Sequence, residues 1–259
     1  MKRKYSLGVF FDIYTNKQTD WGKSLNFIQS LDGLEHLELL FEYIPTTKQE
    51  INFFTNLGKK YQLIIHSTFL DLTMLSPHNQ INQISLAKFK QCYQLGLQLN
   101  AKAFTIHAGL MPAFWSKQQT NKQLKSQLNQ LASSDQLPVC VENMSAKSSI
   151  QIPYPCTPQH LDDISKFTNL TIDIGHFLKT GVNPIPIITK HQKKIINIHL
   201  HDSRINQDHI ALGKGNLDLS AFLNTLNKIN YQNFVTLEIM GKKHIKQSWN
   251  TINQALIQK

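Results

Sequence analysis

The feature that most constrains this chain is an eight-fold alternation. Short β-branched or aromatic runs end in polar residues, and a longer stretch with helical periodicity follows each. The strand candidates are residues 6–12, 37–42, 61–66, 103–107, 138–142, 170–173, 195–199 and 233–238. Between them, Leu86, Phe89, Tyr93 and Leu97 form one apolar stripe. Leu124, Leu128 and Leu131 form a second, and Ile245, Trp249, Ile252 and Leu256 a third. Leu219, Phe222, Leu226 and Ile229 repeat the pattern before the last strand. Eight units in 259 residues come to about 32 residues each, the size of one β/α repeat.

Regular alternation of this kind predicts parallel strands with right-handed crossovers. Eight units predict closure into a (β/α)8 TIM barrel, with residues 1–259 as a single domain. An open doubly wound sheet is the competing architecture, and it favours a Gly-rich phosphate loop after the first strand. Asp12-Ile13-Tyr14-Thr15 stands there instead, and no nucleotide cofactor is expected. The Pro-rich piece 152–158 reads as a βα loop.

Composition excludes several classes. A hydrophobic fraction of 41% excludes a disordered chain. No apolar run approaches the roughly 18 residues of a membrane helix, so no membrane partner is expected. The start Met1-Lys2-Arg3-Lys4 resembles a signal-peptide n-region, but the apolar run behind it stops at Asp12, and it reads as a first strand. Cys92, Cys140 and Cys156 are odd in number and lack C-x-x-C spacing, which fits reduced thiols and a cytoplasmic location. The net charge of +10 invites an anionic partner such as nucleic acid. The surplus is scattered lysine, however, and Arg3 and Arg204 are the only arginines.

The ionisable residues carry the functional signal. His66, His107, Glu142, Asp173, His199 and Glu238 each stand at the C-terminal end of a predicted strand. In a closed parallel barrel those ends converge on one face, where such enzymes keep their active sites. Carboxylates and imidazoles gathered in one mouth need a partner, because buried charge is paired or bound to metal. A divalent cation is the simplest one. Mixed imidazole and carboxylate ligands suit Zn²⁺, Mn²⁺, Co²⁺ or Fe²⁺ better than Ca²⁺ or Mg²⁺.

The chain resembles the xylose isomerase-like TIM barrels, the superfamily of sugar-phosphate isomerases and epimerases and of AP-endonuclease-type phosphodiesterases. The segments that carry the resemblance are His66-Ser-Thr-Phe-Leu-Asp-Leu, Thr105-Ile-His107-Ala-Gly109, Val141-Glu142-Asn143, Ile172-Asp173-Ile-Gly-His176, His199-Leu-His201-Asp202-Ser, Leu212-Gly-Lys-Gly215 and Thr236-Leu-Glu238. Their order and spacing, over nearly the whole chain, are specific for the superfamily and not for one reaction.

The resemblance implies a main metal (zinc, manganese or cobalt) held by Glu142, Asp173, His199 and Glu238. His66 and His107 match positions that hold a further metal in the phosphodiesterase branch, with Glu142 bridging. His176 and His209 match a third-metal pair there. That branch carries an aspartate two residues before the second histidine. This chain has Gln207, with Asp208 one place late, and Lys214 replaces the usual acidic residue between two glycines. The stretch from His199 to His209 is also shorter than in that branch.

Three functions follow, in order. The first is a metal-dependent isomerase or epimerase acting on a sugar or sugar phosphate through an enediolate. Glu142 and Glu238 serve there as the acid/base pair, His176 as a donor to a substrate hydroxyl, and Asn143 and Arg204 as further substrate contacts. His201 and Asp202 read as groups that orient the ligands. The second is a metal-dependent phosphodiesterase acting on damaged DNA, supported by the lysine content and the Phe69-Leu70 pair. The third is a non-enzymatic metal-dependent binding protein on the same scaffold. Loops 110–115 and 146–158 are expected to set pocket specificity, and Phe114 and Trp115 either cover the mouth or pack under a helix. The oligomeric state is left open by the sequence.

Overall fold

A computed structural model describes residues 3–12, 21–132, 136–145, 151–205 and 207–257. The chain runs β1 (Ser6–Asp12), α1 (Trp21–Gln29), β2 (His36–Phe41), α2 (Lys48–Gly58), β3 (Gln62–Ser67), α3 (Asn79–Gln98), β4 (Ala103–Ile106), β5 (Leu110–Pro112), α4 (Lys117–Leu131), β6 (Val139–Glu142) and β7 (Gln151–Pro153). It continues through α5 (Pro158–Ile164), β8 (Asn169–Asp173), α6 (Ile174–Lys179), α7 (Pro184–His191), β9 (Ile195–Leu200), β10 (Asp202–Arg204), β11 (Gln207–Ile210), α8 (Leu219–Lys228), β12 (Phe234–Leu237) and α9 (Lys242–Ile257).

Eight of these strands close a barrel in the order β1-β2-β3-β4-β6-β8-β9-β12 and back to β1. Every pairing in the ring is parallel. The fold is therefore the eight-stranded β/α barrel that the alternation predicts. The stripe residues supply the layer between barrel and helices: Leu86, Phe89, Tyr93, Leu124, Leu128, Trp249 and Ile252 are all buried. Among the described residues, the antiparallel pair of β5 with β7 and the β10–β11 hairpin are additions on the rim that the periodicity does not announce. Residues 13–15, where the sequence lacks a phosphate loop, and residues 146–150 lie outside the described residues.

All three cysteines are buried and free. Burial pushes the Cys92 thiol up to about 12, which leaves it an inert core group. Among the described residues no helix is long and apolar enough to cross a membrane.

The barrel interior is more polar than its apolar strands suggest. Glu38, buried and on the inner face of β2, accepts from Asn197 Nδ2 at 2.7 Å and from His199 Nε2 at 3.0 Å. Thr236 donates to Asn197 Oδ1 at 3.0 Å, so its oxygen accepts from His36 Nε2 at 2.9 Å. That leaves His36 Nδ1 to accept from the Ser6 hydroxyl at 2.9 Å. Every bond in this series is donated toward Glu38. Gly8, opposite His36, has no side chain because a Cβ there would stand 2.3 Å from the imidazole.

Candidate metal centre

The ends of barrel strands β3, β4, β6 and β12, with helix α6 and rim strand β11, deliver ionisable groups to one cavity of about 450 Å³, whose lining includes His66, His107, Glu142, His176, His209 and Glu238. Glu142 stands at the centre. His66 Nε2 and His107 Nε2 approach its Oε2 at 3.2 and 3.1 Å. His199 Nδ1 lies 3.3 Å from its Oε1 and 2.8 Å from Glu238 Oε2. His209 Nε2 is 3.6 Å from Glu238 Oε1, and His176 Nδ1 is 3.4 Å from Asp173 Oδ2.

Tautomers follow from what each second nitrogen does. His199 gives its Nε2 proton to Glu38, so Nδ1 presents a lone pair to the cavity. His66 Nδ1 donates to the Ser67 carbonyl at 2.9 Å and frees Nε2 toward Glu142. His176 Nδ1 donates to the Asn143 carbonyl at 2.8 Å, so in the neutral ring Nε2 is an acceptor. His201 Nδ1 accepts the backbone N–H of His209 at 2.9 Å, so Nε2 donates to Asp173 Oδ2 at 3.0 Å. His201 thereby orients Asp173.

With only protons available, the electrostatics place a further proton on His199, between Nδ1 and the Glu238 carboxylate. Burial opposes ionisation of Glu142, but the imidazoles of His199 and His107 outweigh it and hold the carboxyl well below its ordinary range. Burial likewise opposes charge on Glu238, and His199 and His209 overcome it. Burial disfavours a charged His199, yet Glu38, Glu238 and Glu142 raise it well above its ordinary value. His209 is pushed up to about 10, with burial outweighed by its bond to Glu238. These carboxylates demand positive charge, which protons or a cation can supply.

The residues fit a cation. His199 Nδ1 and Glu238 Oε2 are buried, face each other, and have no hydrogen-bond partner. A nitrogen and a carboxylate oxygen buried 2.8 Å apart need a proton or a cation between them. Among the described residues, three sets of side chains can hold an ion: Glu142, Asp173, His199 and Glu238; His66, His107 and Glu142; and Asp173, His201, His209 and Glu238. Within the third set, His201 is committed through both nitrogens, as described above.

The other candidates lie elsewhere. Asn143 spends its amide on Asp173, donating to the backbone carbonyl at 2.9 Å and accepting from the backbone N–H at 2.8 Å. It ties the end of β6 to the end of β8. Arg204 is exposed, donates to Gln207 Oε1 at 2.9 Å, and borders a depression beside Lys214 and Gln247 that adjoins the cavity at His209 and Met240. Asp208 is paired with Lys179, whose ammonium overcomes burial and lowers the carboxyl to about 2. Phe69 lies against the His107 ring at 4.8 Å, while Leu70 is 58% exposed. Trp115 packs on the core and Phe114 is exposed.

Two features escaped the sequence reading. Glu38 is visible as His36-Leu-Glu38, polar residues at period two inside an apolar strand. Asp202 reads as an orienting group, but its main task is local. Its carboxylate accepts backbone N–H groups from Ser203, Gly213, Gly215 and Leu217 at 2.8–2.9 Å. A Cβ at Gly215 would fall 2.3 Å from Asp202 Oδ1, which explains the glycine of the Leu212–Gly215 segment.

Three solved structures share this architecture. A D-tagatose 3-epimerase-like protein superposes with a TM-score of 0.82 at 21% identity, covering 97% of each chain. Endonuclease IV from Thermus thermophilus gives 0.75 at 12%, covering 98% of this chain and 100% of that one. The IolI protein with a bound zinc atom gives 0.73 at 16%, covering 97% of each. At these identities the likeness is one of fold. The family description "xylose isomerase-like TIM barrel" matches residues 26–256, nearly the entire length, and to that family the chain belongs.

Proposed function

We propose that this protein is a metal-dependent isomerase or epimerase acting on a 2-hydroxy-carbonyl compound of the sugar or sugar-phosphate type. The observation that carries the reading is the pair of unpartnered buried atoms, His199 Nδ1 and Glu238 Oε2, beside the Glu142 carboxylate. A divalent cation held by Glu142, Asp173, His199 and Glu238 would supply positive charge for a developing oxyanion. Glu142 and Glu238 then act as the acid/base pair. One removes the proton from the carbon between carbonyl and hydroxyl, whose electron pair moves to the carbonyl oxygen. The other returns a proton. His176 Nε2 accepts from a substrate hydroxyl, and His201 holds Asp173 in place.

A metal-dependent phosphodiesterase is the second reading, favoured by the exposed Leu70 next to Phe69 and by the further ligand set of His66, His107 and Glu142. Against it stands Lys179, whose ammonium neutralises Asp208 beside His209 and takes the place of a further cation there. The test combines three measurements on the purified protein: metal content, exchange of the carbon-bound proton of 2-hydroxyketones in D₂O, and nicking of a plasmid with abasic sites. One tightly held ion with proton exchange and an uncut plasmid is the expected result. Nicking without exchange reverses the order of the two readings.

A further inference from the structure

The cavity has two unlike halves. The six ionisable side chains named above line one side. Facing them are Phe10, Phe27, Ile28, Leu40, Ile239 and Ile245, drawn from β1, α1, β2, the end of β12 and α9. Phe10 joins the halves, with its ring edge-on to His66 at 5.6 Å and to His199 at 6.3 Å. Within the apolar half, the described polar side chains lining the cavity are Ser24 and Lys242. Ser24 Oγ is buried and without a partner. Lys242 is exposed at the mouth, its ammonium 6.0 Å from the Phe27 ring centre.

A pentose or hexose chelated through its carbonyl and neighbouring hydroxyl keeps three or more further hydroxyls. Each one buried without a partner is penalised, and among the described side chains of this wall only Ser24 and the exposed Lys242 could serve them. An apolar group gains from the same wall by leaving water. We infer that the compound taken by this site is a 2-hydroxy-carbonyl molecule whose far end is a deoxygenated or aromatic group seated on Phe10, Phe27 and Ile245. The inference rests on the reading under Proposed function and narrows its substrate class.

Hydroxamates test it without turnover, since they chelate a bound cation through two oxygens. Affinities are read from the visible spectrum of the Co²⁺-loaded protein for acetohydroxamate, phenylacetohydroxamate, erythronohydroxamate and its 4-phosphate. The phenyl compound is expected to bind at least about tenfold tighter than acetohydroxamate. The polyol and its phosphate are expected to gain little. In Phe27→Ser the phenyl advantage should shrink toward that of the short reference compound. Equal or tighter binding of the polyol or its phosphate overturns the inference, as does a phenyl advantage untouched by Phe27→Ser. Acetohydroxamate binding with no tail effect overturns it while leaving the metal-dependent reading intact. Failure of every hydroxamate to bind the loaded protein removes both.

Discussion

His199 donates from Nε2 to Glu38 Oε2 at 3.0 Å, and that bond decides which nitrogen of the imidazole faces the cavity. Glu38 sits below the rim on β2, touches none of the proposed reacting atoms, and receives a second bond from Asn197. Carboxylate partners of this kind fix ring orientation and raise ligand basicity. Replacement by Gln removes the charge and leaves an amide group where Oε1 is already buried without a partner. Glu38→Gln is expected to weaken Zn²⁺ binding by about 10- to 100-fold, measured by competition with a chromophoric chelator. Unchanged affinity would remove Glu38 from the site's support.

Glu142 and Glu238 share the task of moving protons in the proposed reaction. Glu142→Gln and Glu238→Gln should each lower the rate of carbon-bound proton exchange by about 10² to 10⁴. Exchange by NMR in D₂O reads this directly. Exchange that survives both substitutions would sink the acid/base assignment.

Gly175 lies under the His201 ring. A Cβ at that position would meet His201 Cε1 at 1.8 Å, which no rotamer adjustment of Ala relieves. Gly175→Ala must therefore displace His201 and release Asp173 from its 3.0 Å bond. Overpacking of this kind costs about 1–3 kcal/mol. Thermal unfolding should show the lower stability, and metal titration a weaker site. A variant with native melting and native affinity would contradict the arrangement.

His36 predicts a pH dependence of stability. Burial, the largest cause, lowers its pKa from 6.5 to about 3, against the smaller opposing effect of Glu38. The unfolded chain therefore binds a proton at His36 that the folded chain refuses between pH 6.5 and about 3. Stability from this group is complete above pH 6.5 and declines as the pH falls toward 3, by about 2 kcal/mol at pH 5. Urea unfolding of wild type and His36→Gln between pH 5 and 7.5 measures it. The difference between the two should narrow toward acid pH, and a constant difference would contradict the buried neutral imidazole.

The strands and the cavity-facing groups are legible in the sequence for the same reason. A parallel strand buried on both faces reads as an apolar run, so the polar residue that ends it marks both the strand boundary and the rim. Glu142 and Asp173 end their strands, and His66 and His199 stand one residue before the end of theirs. Groups inside the barrel do not. Glu38, Asn197 and Thr236 interrupt apolar runs singly, and their value lies in bonds across sequence separations of 39 to 161 residues. Loop residues are harder to place, because local pairing and not strand periodicity sets where they point. Arg204 belongs to the β10–β11 hairpin, whose pairing turns its side chain toward Gln207 instead of the cavity. Asn143 neighbours Glu142, but alternation sends adjacent side chains in opposite directions.

The donors from Ser6 through His36, Thr236 and Asn197 to Glu38 all point one way. Turning over the Asn197 amide, or moving the His36 proton to Nδ1, would set donor against donor or oxygen against oxygen at the next link. No member can switch alone, so the floor of the barrel and the cavity-facing nitrogen of His199 are locked in phase. A lesion at Thr236, remote from any substrate, should therefore be felt first as a misaimed imidazole at the rim.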